Sequence, residues 1–222
     1  MTDVQKEEKE RLVIRLSRPE DTQEIDALRK VSYFETADWA EFKRTPDYIS
    51  VANDSPEDQV LVAFLPSGKL AATVRLGIAK TQAELIDQLG AVVHVNDDQL
   101  PIMTAGRACA VPGGGYYKAL RLAFLEVAHA MRFNGHPIVA QMGVNAANNP
   151  VPRSVVRLGY EVFPVDEGDF IFSGPHVANR IHRDRFMQAI FLLRAEQQAG
   201  KTPEWDWEGP LPFKQYLNWV RQ

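Results

Sequence analysis

The stretch Ile102-Met103-Thr104-Ala105-Gly106-Arg107-Ala108-Cys109-Ala110-Val111, then Pro112-Gly113-Gly114-Gly115, then Tyr116-Tyr117-Lys118-Ala119-Leu120, decides the fold. The first ten residues are mostly small or apolar, as a buried strand requires, and the glycine run ends them. Leu120, Phe124, Val127 and Met131 then recur on one stripe of a long helix. Asn134-Gly135 is expected to close that helix in the left-handed conformation. A strand that passes through glycines into a helix is a ready anion site, because unpaired amides point outward and the helix dipole favours negative charge. Gly113, Gly114 and Gly115 permit close approach of a phosphate, and Lys118 adds a positive charge. The same glycine run also makes an ordinary tight turn. No Gly-Lys-Ser/Thr ends the loop and its glycines lack dinucleotide spacing, so nucleotide hydrolysis and hydride transfer lose support.

Working outward, residues 12–16 read as a strand and Ser17-Arg18-Pro19-Glu20 as a helix start, with Ser17 as cap and Glu20 at capping-box spacing. Ile25, Leu28, Val31 and Ser32 predict a helix to about Phe34, and a second short helix is expected over 37–42. Residues 60–65 and 70–78 flank Pro66-Ser67-Gly68-Lys69 as a β-hairpin. A helix over 80–89, a strand over 138–144, a short helix from Asn148-Asn149-Pro150 to Leu158 and strands over 160–165 and 170–172 follow. From about His176 the character changes to one amphipathic helix reaching Ala199, a loop carrying Trp205 and Trp207, and a last short helix from Pro212. The order predicts an α/β (α+β) fold, a mixed central sheet flanked by helices. It divides into a lead-in over 1–11, one domain over 12–175 and a C-terminal helical extension over 176–222 packed on the same domain.

Composition narrows the function classes. The chain has 222 residues, 25 lysines and arginines against 29 acidic residues, and a formal charge of -4. That balance carries none of the basic excess of a nucleic-acid binder. The run from Lys6 to Arg11 mixes both signs and reads as solvated. Cys109 is the only cysteine, which excludes an internal disulfide and a multi-cysteine zinc site, and the five histidines lack ligand spacing. No apolar run approaches ~18 residues, so no membrane span is expected and the protein is placed in the cytoplasm.

Several strings together resemble the GNAT superfamily of acyltransferases. Residues 14–21, Ile14-Arg15-Leu16-Ser17-Arg18-Pro19-Glu20-Asp21, resemble its opening strand and helix. Residues 68–76, Gly68-Lys69-Leu70-Ala71-Ala72-Thr73-Val74-Arg75-Leu76, resemble its second hairpin strand. Residues 106–135 resemble its central strand and donor-binding helix. The most specific match joins Val144-Asn145-Ala146-Ala147-Asn148 to Arg157-Leu158-Gly159-Tyr160-Glu161. The resemblance covers about residues 12–172 and implies a central strand splayed from its neighbour, with a pantetheine thioester in the gap. By that likeness Ala108, Cys109, Ala110 and Val111 line the pantetheine arm, Gly113, Gly114, Gly115, Tyr116, Tyr117 and Lys118 meet the phosphate end, and Asn148 lies beside the donor. The family's usual loop is Gln/Arg-x-x-Gly-x-Gly/Ala, whose places here hold Gly115, Lys118 and Leu120, and its frequent tyrosine acid falls on Val155.

The acyl-homoserine-lactone synthases and N-acyl amino acid synthases depart from the loop in a similar way. Leu28-Arg29, Tyr33-Phe34, Trp39, Asp54, Asp58 and Leu61-Val62-Ala63 resemble their acceptor side, and Thr73-Val74-Arg75-Leu76 their strand. Of their Glu-x-Ser-Arg signature only Arg107 survives in Thr104-Ala105-Gly106-Arg107, which argues against lactone synthesis and leaves N-acyl transfer open.

The residue types fit that chemistry. Arg107 sits in an apolar strand and calls for an anion, either a structural carboxylate or a substrate. Arg75 stands in a similar setting, with structural pairing favoured. Asp54 and Asp58 suit a substrate amine electrostatically, though loop aspartates are often only solvated. Cys109 packs unless a base activates it. Arg29, Trp39, Asp54 and Arg75 are the acceptor-side candidates, and Asp58 and Arg107 the catalytic ones, with Asp58 as a relay to an ordered water and a central-strand amide meeting the oxyanion. The expected activity is N-acyl transfer from acyl-CoA or an acyl carrier protein thioester to a small-molecule amine such as an amino acid, without a metal. Ordinary acetyl-CoA-dependent N-acetylation and a GNAT-fold binding module that has lost catalysis are the alternatives.

Overall fold

The apolar run at the start of the chain becomes β1 (Leu12–Leu16), and it leads through a single 3-10 turn (Pro19–Asp21) into α1 (Thr22–Lys30). The structure, a computed structural model, describes residues 11–35, 44–170 and 173–214. Asp21 closes the entry to α1: its carboxylate accepts the Arg18 amide at 2.6 Å and a buried two-point contact from Arg15. The cap therefore centres on Arg18 and Asp21 rather than on Ser17 and Glu20. A π-helical turn (Val31–Glu35) carries the helix just beyond Phe34.

The predicted hairpin is β2 (Gln59–Phe64) and β3 (Leu70–Ala79), followed by α2 (Gln82–Leu89) with Gly90 left-handed at its end. The deciding stretch folds as read, into β4 (Ile102–Ala110) and α3 (Tyr116–Ala130). Asn134 and Gly135, with φ of 50 and 81, do not cap α3. They turn a two-residue hairpin between β5 (Arg132–Phe133) and β6 (His136–Pro137), the use that Asn-Gly finds where both turn residues must be left-handed.

Next come β7 (Ala140–Ala146), α4 (Pro150–Val156) and β8 (Glu161–Val165). The helix expected from His176 starts only at Arg183: β9 (His176–His182) precedes α5 (Arg183–Gln198), so the sheet continues past residue 175. Trp205 and Trp207, expected in a loop, form β10 (Trp205–Trp207). The expected helix over 37–42 and residues 171, 172 and 215–222 lie outside the described residues, and Phe170 is not in a strand.

Eight strands form one mixed sheet in the order β10-β1-β2-β3-β4-β7-β9-β8. Alternation along the strands sorts the core into two faces. Leu61, Val74, Leu76 and Met103 pack against Phe124 and Val127 of α3 and Phe186 and Leu193 of α5. On the opposite face Val60 and Val62 meet Ile25 of α1, while Ile102, Ala140 and Met142 meet Leu85 of α2. The result is an α+β fold of three layers, helix on sheet on helix.

Candidate functional site

Where β4 and β7 meet, the sheet opens. Their parallel pairing covers only Ile102, Met103 and Thr104 against Ala140, Gln141 and Met142. Beyond those pairs β4 follows β3 and β7 follows β9, and a fork opens between them. Gly143 sits at its base, where a Cβ would lie 2.8 Å from the Ala105 carbonyl oxygen, so only glycine admits that approach. The splayed strands expected from the resemblance are present.

One extra residue in β4 shapes the upper arm of the fork. Arg75 lies opposite Gly106 while Thr73 lies opposite Cys109, so the ladder bulges between them. Arg107 occupies the bulge with a φ of 49. A left-handed conformation costs a residue with a side chain roughly 1–2 kcal/mol. The bulge turns the guanidinium of Arg107 out of the ladder toward the loops that follow α1.

Those loops supply its partner. Asp54 is buried between two arginines: Arg107 Nη1 reaches its Oδ1 at 2.6 Å and Arg29 Nη2 its Oδ2 at 3.0 Å. Arg107 Nη1 also donates to the Ser50 carbonyl, and Arg29 Nη1 to that of Ile49. Both contacts of Arg107 use one nitrogen, and its Nη2 and Nε make no hydrogen bond among the described residues. Burial pushes its guanidinium below the ordinary arginine range and Asp54 pulls it back up. The Tyr48 ring lies 5.6 Å from its charge.

A second pair stands beside the first. Asp58, with a side chain 2% exposed, has Arg75 Nε 3.4 Å from its Oδ2. Burial raises the pKa of Asp58, Arg75 opposes that rise, and the charge of Asp54 adds to it. Arg75 also donates to the Gln88 carbonyl, and Thr104 donates to Gln88 Oε1 at 2.8 Å. Gly77 lies under this group, where a Cβ would fall within 2.8 Å of both Asp58 Oδ1 and Thr104 Oγ1.

A cavity of about 1050 Å³ runs along the fork. Its walls include Asp54 and Asp58 on the loops before β2, Arg75 on β3 and Arg107 on β4, and Ala108, Cys109 and Ala110 along β4. Arg29 is fully buried behind Asp54 and serves as a support. Val111 continues the ladder, its amide bonded to the Ala71 carbonyl. Tyr117 reaches the cavity, as does Asn149, the neighbour of Asn148. Gly113, Gly114, Gly115, Tyr116 and Lys118 stand outside the lining, at the start of α3. Gly115 is left-handed, and a Cβ there would approach the Lys201 carbonyl at 3.0 Å. The Tyr116 ring lies over Gly114, and Lys118 is paired with Glu196 at 3.0 Å. Trp39 lies outside the described residues.

Tyr48, Gln141, His176 and Asn179 also line the cavity, and nothing in the sequence reading singled them out for a site. For Asn179 and His176 the missing signal was the strand itself. Among the described residues no three or more His, Cys, Asp or Glu side chains gather as a metal site, and no helix is long and apolar enough to cross a membrane.

No protein-family profile matches the chain, and no curated protein does. Solved structures do. The CoA-dependent acyl-homoserine lactone synthase BjaI, with SAM and isopentyl-CoA, superposes with a TM-score of 0.58 at 20% identity, over 90% of this chain and 94% of that one. FeeM, an N-acyl amino acid synthase from uncultured soil microbes, gives 0.55 at 10% identity, over 84% and 97%. A putative N-acetyltransferase from Lactobacillus plantarum gives 0.52 at 20% identity, over 78% and 98%. The forked sheet and these superpositions agree: the chain has the fold of the GNAT acyltransferases.

Proposed function

We propose that the protein is an N-acyltransferase that moves an acyl group from a pantetheine thioester, carried on CoA or an acyl carrier protein, to the amine of an amino acid. One observation carries the reading: a large cavity follows the fork between β4 and β7 and ends beside a buried group of arginines and aspartates. In the neighbouring synthase, isopentyl-CoA is the bound thioester, and FeeM is an N-acyl amino acid synthase.

In this reading the fork holds the thioester with its carbonyl beside the bulge at Arg107. The free nitrogens of Arg107 grip the acceptor carboxylate, a charge-assisted contact that fixes orientation. Asp58 takes the proton from the acceptor ammonium, and a raised pKa makes a buried carboxylate a better base near neutral pH. The freed amine attacks the carbonyl carbon and a tetrahedral oxyanion forms. The carbon–sulfur bond then breaks, giving amide and thiol once the thiolate is protonated. Placing amine beside thioester is the main contribution, an orientation effect worth several kcal/mol.

Thiol release from a panel of acyl thioesters with amino acids tests this. Turnover is expected with longer acyl donors, and a strict preference for acetyl-CoA would instead mark ordinary acetylation. Gly143→Val should reduce donor affinity at least tenfold, since its side chain must displace the Ala105 carbonyl from the base of the fork. Unchanged affinity would place the donor elsewhere.

The pH profile checks Asp58. Its carboxylate must be ionised to accept a proton, so kcat/KM should fall as pH drops through its raised pKa. Asp58→Asn should lower the rate by about 10²–10⁴-fold and flatten that limb. An acidic limb that persists in the variant would assign the proton to another group.

A further inference from the structure

Helix α5 carries an apolar patch on the face turned away from the sheet. Phe191 is 71% exposed and Met187 55%, and the two stand four positions apart, so they are neighbours on one face of the helix. The other face is committed to the core through Phe186, Ile190 and Leu193. Single exposed apolar residues are ordinary on a surface. A phenyl ring and a thioether side by side on a helix are the residue types that collect at interface centres.

The charged residues beside the patch say what fits it. Asp184 is exposed three positions before Met187, and its one ion pair among the described residues is with Arg185 at 3.9 Å. Arg194 follows Phe191 by three positions; Glu126 and Gln197 hold its guanidinium, and its side chain is still 43% exposed. The order Asp184, Met187, Phe191, Arg194 is therefore symmetric in spacing: three, four and three. Such a stripe is complementary to itself when reversed. If a second α5 lies antiparallel with Met187 against the partner's Phe191, the same spacing sets Asp184 against the partner's Arg194. The match occurs twice about a twofold axis, as an isologous contact requires. Ala195, small and exposed, leaves room for the close approach, and antiparallel helices set opposite dipole ends together. A lipid surface or an acidic partner would call for a rim of cations, whereas this stripe has one carboxylate for its one guanidinium.

We propose that α5 is a self-association surface on which two copies of the chain pair antiparallel, Met187 against the partner's Phe191 and Asp184 against the partner's Arg194. The two rings and two thioether chains supply roughly 500 Å² of apolar surface. The flanking residues of a helix about 24 Å long must add the rest of the ~1,000 Å² that a specific interface needs. An interface of that size gives a weak, concentration-dependent dimer. The proposal is independent of the acyl-transfer reading.

Sedimentation velocity of the full chain from about 1 to 200 µM reads the assembly, and half-dimerisation is expected near about 10 µM. Phe191→Glu should raise the dissociation constant at least about 30-fold, since the residue enters the interface twice, with an unchanged melting temperature showing that it folds. The register has its own test. Asp184→Cys and Ala195→Cys proteins, mixed and oxidised, should form a disulfide across the pair. Neither should form one alone, because like positions lie about 15 Å or more apart along the helix axes. Cys109 is buried and does not compete. A monomer at every concentration overturns the proposal. If that monomer cosediments with phosphatidylglycerol–phosphatidylcholine vesicles and Phe191→Glu does not, the patch belongs to a lipid surface instead. A dimer that survives Phe191→Glu, or a disulfide in Asp184→Cys alone, overturns it too, since the contact then lies on another face or in another register.

Discussion

Replacing Asp54 with alanine should unfold the protein at a much lower temperature. Arg29 is fully buried, and its partners are the Asp54 carboxylate at 3.0 Å and the Ile49 carbonyl at 2.9 Å. Arg107 reaches the other oxygen of the same carboxylate. Without Asp54 the two guanidiniums lose the carboxylate that sits between them. Removing one partner of a buried pair commonly costs about 3–5 kcal/mol, because the remaining charge is uncompensated. For a chain of this size that is a fall in Tm of roughly 6–20 °C. The double variant Arg29→Met with Asp54→Leu should lose less than Asp54→Ala alone, since it removes a charge along with its partner. Scanning calorimetry of the three proteins measures this. If Asp54→Ala melts within a degree or two of wild type, the carboxylate is not the keystone of this buried charge group.

Cys109 should be almost inert in the native protein. Its thiol is 6% exposed on the β4 arm of the fork, and burial pushes its pKa up to about 12, with Arg29 and a hydrogen bond from Ser32 only partly opposing. Thiolate is the reactive form, and relative to an ordinary thiol its fraction at pH 8 falls by about a thousandfold or more. Alkylation by iodoacetamide should therefore be slower by at least that factor in buffer and of ordinary speed in guanidinium. A native rate within tenfold of a free thiol would mean that the strand opens readily. The same inertness argues against an acyl-cysteine intermediate and leaves direct attack by the amine.

The parts of this fold that were legible in the sequence are those whose pattern is local. The strand, glycine run and striped helix of residues 102–130 show their apolar period and their stop signals side by side. The hairpin around Gly68 is equally plain. β9 was not, because His176, Asn179, Arg180 and His182 dilute its alternation until it reads as the beginning of α5. His176 and Asn179 line the cavity, while Arg180 and His182 face Glu161 of β8. β10 is three residues long and acquires its identity only by pairing with β1. The bulge at Arg107 was invisible for a different reason: nothing but the ladder on either side forces a residue with a side chain into a left-handed conformation. The candidates Asp54, Asp58, Arg75 and Arg107 do share one cavity, but who pairs with whom is a property of contacts 17 to 53 positions apart. Asp54, weighed for a substrate amine or plain solvation, is held by Arg29 and Arg107, and neither arginine is near it in sequence.

The short strand near the end of the chain has a bearing on solubility. β10 lies parallel to β1, with the Leu12 amide bonded to the Glu204 carbonyl and the Glu208 amide to that of Ile14. Arg11 adds ion pairs to Glu204 and Asp206, and Arg15 and Arg18 face Glu208. Without that clasp β1 would be an open edge with Leu12 and Ile14 beside it, a template for pairing with another chain. Trp205, Asp206 and Trp207 thus act as a guard against intermolecular sheet growth, and the ion pairs around them pin the guarding strand to β1.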